Sequence, residues 1–168
     1  MHMTPRELWS RLREIKEMQP GSARRIQAHR ALAEQCPAFV PNLLSLHRTL
    51  LLDRREGDAQ AHFTEGERAL RDAVELSEED AAAPLELAHF LDVVRDAPGE
   101  AEPLFAEAAR RASKSLEEAW AGWIGVLGQQ EKFDAALELA EQAQRVFPHS
   151  ETIAEAIATA GLGRELTR

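Results

Sequence analysis

The sequence predicts an all-α fold made of stacked helical hairpins, and three observations carry that prediction. The composition is helical: alanine, leucine, glutamate and arginine dominate the 168 residues, Tyr is absent and β-branched residues are scarce. Apolar residues recur at three- and four-residue spacing, with no strand-like alternation. Breakers divide the chain into helix-length segments, with turns centred near Gly21, Gly57, Gly99 and Lys132, spacings of 36, 42 and 33 residues. Periods of this size mean hairpins that each contact mainly their neighbours.

The elements follow in order. "MQPGS" (18–22) separates a helix with Leu8, Trp9, Leu12 and Ile15 from one with Ile26, His29, Leu32 and Ala33, a hairpin over about 5–36. "CPAFVPN" (36–42) precedes the apolar "LLSLHRTLLLD", and "REGDA" (55–59) leads into a long helix with Phe63, Gly66, Leu70, Ala73 and Val74, a hairpin over 38–76. "LSEEDAA" (76–82) opens a helix with Leu87, Phe90, Leu91 and Val94. "DAPGEAE" (96–102) ends it and begins another with Leu104, Phe105, Ala108 and Ala109, giving 80–113. After "SKSLEE" (113–118) come "AWAGWIGVLG" (119–128), the turn "QQEKFD" and a helix from Phe133 to Val146 ended by Pro148, giving 116–147; a short helix over about 150–160 is last. The expected count is eight helices in four hairpins plus a ninth short one, all in one domain over 1–168.

Several function classes are argued against. No stretch approaches the roughly 20 apolar residues of a membrane span and no signal-peptide stretch opens the chain, so a cytoplasmic location is expected; the leading "MHM" reads as a cloning remnant. Cys36 stands alone, so it cannot form an internal disulfide and reads as a small buried hydrophobe. Glu86 and His89 form one E-x-x-H, but a di-metal site needs a second copy, which is missing; His29, His47 and His62 are expected at helix interfaces. There is no phosphate-binding glycine loop and no paired acid and base. The expectation is therefore a protein that is not an enzyme, with no metal and no cofactor. The net charge of −9 is unevenly spread: residues 1–55 hold ten basic side chains against five acids, and the remainder ten against 24. Overall acidity, with no aromatics interleaved among the arginines, argues against nucleic acid.

The stretch "AWAGWIGVLG" raises its own question. At 100° per residue Trp120, Trp123, Ile124 and Leu127 share one stripe, read as core, while Ala121, Gly122, Gly125 and Gly128 share roughly the opposite one. Three helix-interior glycines oppose helix formation by roughly 2–3 kcal/mol, which burial of two tryptophans can offset. They imply that something approaches the backbone closely, either a bound peptide side chain or a neighbouring helix.

Residues 117–150 also resemble a tetratricopeptide repeat, W-x2-L-G-x2-Y…A-x3-F…P. Trp120, Trp123, Ile124 and Leu127 stand at the tryptophan, leucine, glycine and tyrosine positions, and Ala136, Ala140 and Pro148 at the alanine, phenylalanine and proline positions. Ile124 and Ala140 depart from the pattern by exchanging small for large. The resemblance is weaker over 38–116, and the first 37 residues keep only the hairpin pattern. It implies a right-handed α-solenoid of about four hairpins plus the short C-terminal helix. By the same resemblance, the chain is a non-catalytic scaffold that binds a protein or peptide in a concave groove lined by first helices. The groove positions it implies are Glu118, Ala121, Gly125, Gly128 and Gln129, with Leu85, Ala88, Asp92 and Arg95 on the preceding first helix. The surplus of acids favours a partner with Lys or Arg. A carboxylate clamp of Lys, Arg and Asn is disfavoured, because Asn42 is the only asparagine and there are three lysines. Two alternatives stay open: an accessory or regulatory repeat region of a larger multidomain enzyme, and a self-association module. The second would make a homo-oligomer through the last helix, whose Ile153, Ala156, Ile157 and Ala160 form an apolar face. That face could instead cap the array on the helix before it, or continue into further residues if the chain is a fragment.

Overall fold

A computed structural model describes residues 3–53 and 59–162. The all-α prediction holds: the described residues form eight α-helices, α1 (Pro5–Lys16), α2 (Ala23–Gln35), α3 (Val40–Leu51), α4 (Ala59–Leu76), α5 (Ala82–Val93), α6 (Pro98–Gln129), α7 (Phe133–Val146) and α8 (Glu151–Thr159). They divide into two compact units, residues 1–109 and 110–168.

In the first unit each helix packs on its neighbour in sequence, α1 on α2, α2 on α3, α3 on α4 and α4 on α5, as stacked helical repeats require. α1 starts at a capping box: the Thr4 hydroxyl accepts from the Glu7 N–H (3.3 Å), and the Glu7 carboxylate accepts from the Thr4 N–H (2.7 Å). The Thr4 N–H, together with the Thr4 hydroxyl donating to the same carboxylate oxygen (2.8 Å), holds the Glu7 carboxyl below its usual value. Leu8, Leu12 and Ile15 of α1 bury against Leu32 and Phe39. A larger core joins Leu43, Leu46 and Leu50 of α3, Leu70 and Ala73 of α4, Leu87 and Leu91 of α5, and Ala101 at the start of α6. His29, His47 and His62 all lie buried at helix interfaces. His29 donates from Nδ1 to Asn42 Oδ1 (2.8 Å), and Asn42 Nδ2 donates back to the His29 carbonyl (2.9 Å), tying α2 to α3 inside the core.

In the second unit the remainder of α6 packs with α7 and α8 around Ile124, Leu127, Leu139, Ala140, Ile153 and Ile157. Trp120 stands edge-on to Phe147 at 5.9 Å. Ser150 caps α8 by accepting from the Ile153 N–H (3.0 Å) and also donates to the Glu117 carboxylate of α6. The turn after α6 is a Schellman motif, with Lys132 N–H on the Leu127 carbonyl and Glu131 N–H on the Gly128 carbonyl, both 3.0 Å. Its left-handed position, usually glycine, is held by Glu131 at φ 58°.

Four expectations are corrected or fall outside what is described. "SKSLEE" is not a break: α6 runs through it for 32 residues. The segment carries no Gly or Pro, and Lys114 approaches Glu118 one helical turn on (4.0 Å), so nothing stops the helix. The count is accordingly eight rather than nine. The turn expected near Gly99 lies just before it, since Pro98 and Gly99 already belong to α6 and the left-handed residue is Asp96 at φ 52°. The Gly57 turn lies outside the described residues.

Candidate interaction surfaces

α3 and α5 both pack on α4, and between them in the first unit lies an open groove of about 500 Å³. α3 lines it with His47, Arg48 and Leu51, and α5 with Glu86, His89, Phe90, Val93 and Val94. The lining is mostly apolar, and Val93 is 76% exposed, the signature of apolar surface that the chain itself does not cover. The Arg48 guanidinium bridges the two helices by donating from Nε to Glu86 Oε2 (3.0 Å) and from Nη2 to Glu86 Oε1. His47 closes the floor: its ring is edge-on to Phe90 (5.2 Å), and its Nδ1, without a hydrogen-bond partner, faces Gly66 of α4. Burial pushes this imidazole below its ordinary 6.5, against the attraction of Glu86, and burial does the same to His29.

Of the positions implied on α5, none lines this groove, which α5 borders with Glu86, His89 and Val93. Ala88 is fully buried in the core, whereas Leu85 and Asp92 are exposed outside the lining. Arg95 is engaged elsewhere, donating from Nε to Glu67 (2.8 Å) and lying 5.5 Å over the Phe90 ring. Burial opposes ionisation of Glu67, but hydrogen bonds from Arg71 and Arg95 outweigh it and keep its carboxyl below the usual value. α5 is apolar nearly all round, from Leu85 through Leu87, Phe90, Leu91 and Val93, so no single face stands out on a wheel.

On α6 in the second unit, Glu118 and Gln129 are exposed, Gly125 is partly exposed and Ala121 is partly buried against the core. Gly128 is corrected: a Cβ there would lie 2.7 Å from the Ala160 Cβ, so this glycine admits the end of α8 rather than a ligand. Gly122 and Gly125 have nothing within 4 Å of an added Cβ. Trp123 is also corrected. It is 56% exposed, because the buried stripe centres on Ile124 and Leu127 and leaves Trp123 at its edge, beside exposed Leu116 and Val126. Of the readings left open for the apolar face of α8, packing inside the array is the one seen, with Ile153 and Ile157 buried among residues of α6 and α7.

The E-x-x-H residues are engaged separately, Glu86 with Arg48 and His89 edge-on to Phe105 at 4.9 Å. Among the described residues no group of three or more His, Cys, Asp or Glu is placed to hold a metal ion, and no helix is long and apolar enough to cross a membrane.

Comparison with known proteins agrees with this architecture. Residues 1–78 match the Myxococcota tetratricopeptide repeat protein family. The matched stretch is where the repeat pattern is least legible by eye, and residues 117–150 lie outside it. Over 163 residues, 95% of this chain and 94% of the relative, the sequence is 48% identical to the uncharacterized 18.1 kDa protein in carS 3′ region of Myxococcus xanthus. The chain belongs to the Myxococcota tetratricopeptide repeat protein family.

Proposed function

We propose that the chain is a non-catalytic interaction module that takes a segment of a protein partner in the groove between α3 and α5. The observation that carries this reading is the uncovered apolar lining, with Val93 and Leu51 facing solvent from opposite walls. The partner's chemistry follows from the surroundings: one or more apolar side chains for the groove, and Lys or Arg beside them. Residues 56–109 carry 15 acids and three arginines, and two of those arginines, Arg71 and Arg95, already pair with Glu67. An amphipathic basic helix meets both requirements. A test is fluorescence anisotropy with a labelled 15-residue peptide of leucine and lysine in an amphipathic pattern. Binding to wild type that is lost in Val93→Glu, with helicity unchanged, supports the groove; equal binding to both overturns it.

A second surface is proposed on α6 of the second unit, where Gly122 and Gly125 lie open on the side away from buried Ile124 and Leu127. Glu118 and Gln129 belong to this face. Gly125→Leu is expected to abolish binding there while the fold survives; unaffected binding removes that face from consideration.

A further inference from the structure

Along α6 of the second unit runs an apolar seam that is turned to solvent. Ala112, Leu116, Ala119, Trp123 and Val126 follow one another at alternating four- and three-residue intervals, the spacing by which one helix meets another along its length. All five are exposed, Trp123 by 56%, Val126 by 48% and Leu116 by 41%. α7 and α8 pack instead on Ile124 and Leu127, which point to a different side of α6. None of the five is charged. The outward flank of the seam is formed by Ser115 and Gly122, small residues that let a second backbone come near. The unit spans residues 110–168, and a chain of about 60 residues buries only about 60% of the surface it exposes when unfolded. Association with another chain is one of the ways in which units of this size gain buried apolar area.

The order of sizes along the seam says what fits it. Two copies laid antiparallel, about a two-fold axis at the midpoint between Leu116 and Ala119, meet large against small. Trp123 then faces Ala112 and Leu116 faces Ala119, and symmetry makes each contact twice. Laid parallel and in register, Trp123 meets Trp123 and Leu116 meets Leu116, while the alanines between them face one another across empty space. A seam that is its own complement in one orientation points to a second copy of the same chain.

We propose that the chain forms a two-fold symmetric dimer by antiparallel packing of α6 along residues 112–126, with Trp123 as the anchor. The contact runs for about 21 Å, a length that belongs with weak, reversible association. It is independent of the α3–α5 groove, and it leaves Gly125 facing away from the seam.

The test is sedimentation equilibrium of the full chain from about 1 to about 300 µM, with circular dichroism to confirm that each variant keeps its helices. Wild type is expected to pass from monomer to dimer across that range. Trp123→Ala and Ala112→Trp each ruin the size match at an exposed position, and each is expected to raise the dissociation constant about tenfold or more. The double variant with both changes exchanges large for small on both copies and is expected to dimerise again. Leu116→Ala and Ala119→Leu form an equivalent pair if a tryptophan variant does not fold. A wild-type chain that stays monomeric at about 300 µM overturns the dimer. So does a dimer that Trp123→Ala leaves intact, since it runs through another face. A double variant that stays monomeric while it is folded overturns the antiparallel pairing.

Discussion

Replacing Gly128 by alanine should force α8 to move. The added Cβ would lie 2.7 Å from the Ala160 Cβ and 2.9 Å from its Cα, the second being a backbone atom that no rotamer change can remove. Overpacking of this kind costs about 1–3 kcal/mol, while alanine in a helix interior gains about 0.5–1 kcal/mol over glycine, leaving a net loss centred on about 1 kcal/mol and reaching about 2.5 kcal/mol. Three residues earlier the same chemical change has the opposite sign. Gly125 has nothing within 4 Å of an added Cβ, so Gly125→Ala should keep the whole gain of about 0.5–1 kcal/mol. Amide hydrogen exchange at Ala140 and Ile157, buried positions of α7 and α8, reads the stability of residues 110–168 directly. Exchange should quicken in Gly128→Ala and slow in Gly125→Ala. A Gly128→Ala protein as well protected as wild type would refute the close approach of Ala160.

Glu131→Gly should stabilise the turn between α6 and α7 by about 1 kcal/mol, since φ 58° strains a residue with a Cβ and the Schellman hydrogen bonds do not need the side chain; a thermal midpoint raised by about 2–4 °C checks it. Gly21→Ala should destabilise by at least about 2 kcal/mol in urea titration, because φ is +69° and the new Cβ would fall 2.3 Å from the Leu52 carbonyl oxygen. Acid should loosen the first unit before any carboxylate titrates. With His29 and His47 held below 6.5 in the fold, the unfolded chain binds more protons just under that pH, so stability is full above about pH 6.5 and declines as the pH falls from there. Amide protection at Leu32 and Leu50 that stays constant between about pH 7.5 and about pH 5.5 would contradict the burial of both rings.

The helices themselves are legible wherever one face is apolar and the ends carry capping residues. α1, with Thr4, Pro5 and Glu7 ahead of Leu8, Leu12 and Ile15, is the clearest instance. What escaped the sequence depends on balances that a one-dimensional pattern does not hold. A break was read at "SKSLEE" from its polarity, yet lysine, leucine and glutamate all favour helix, and polarity alone terminates nothing. Trp123 was assigned to the core from its place on the same wheel stripe, whereas Ile124 and Leu127 set the direction of burial and leave it at the edge. On α5, apolar residues surround the axis, so which face borders a groove depends on the neighbours, α3 and α4. The glycines of α6 turned out to serve different ends: Gly128 admits a helix, and Gly122 and Gly125 face open space. Nothing in their sequence context distinguishes the three.

The buried pair of His29 and Asn42 carries a consequence for how α2 finds α3. Faces of leucine and alanine tolerate sliding by a turn, because one methyl group replaces another. Here the Asn42 amide accepts from the His29 ring and donates to the His29 carbonyl in a site fully buried from solvent. A displaced alignment would leave an amide and an imidazole stranded in hydrocarbon, so a single polar match acts as the index mark that selects one alignment from several greasy ones.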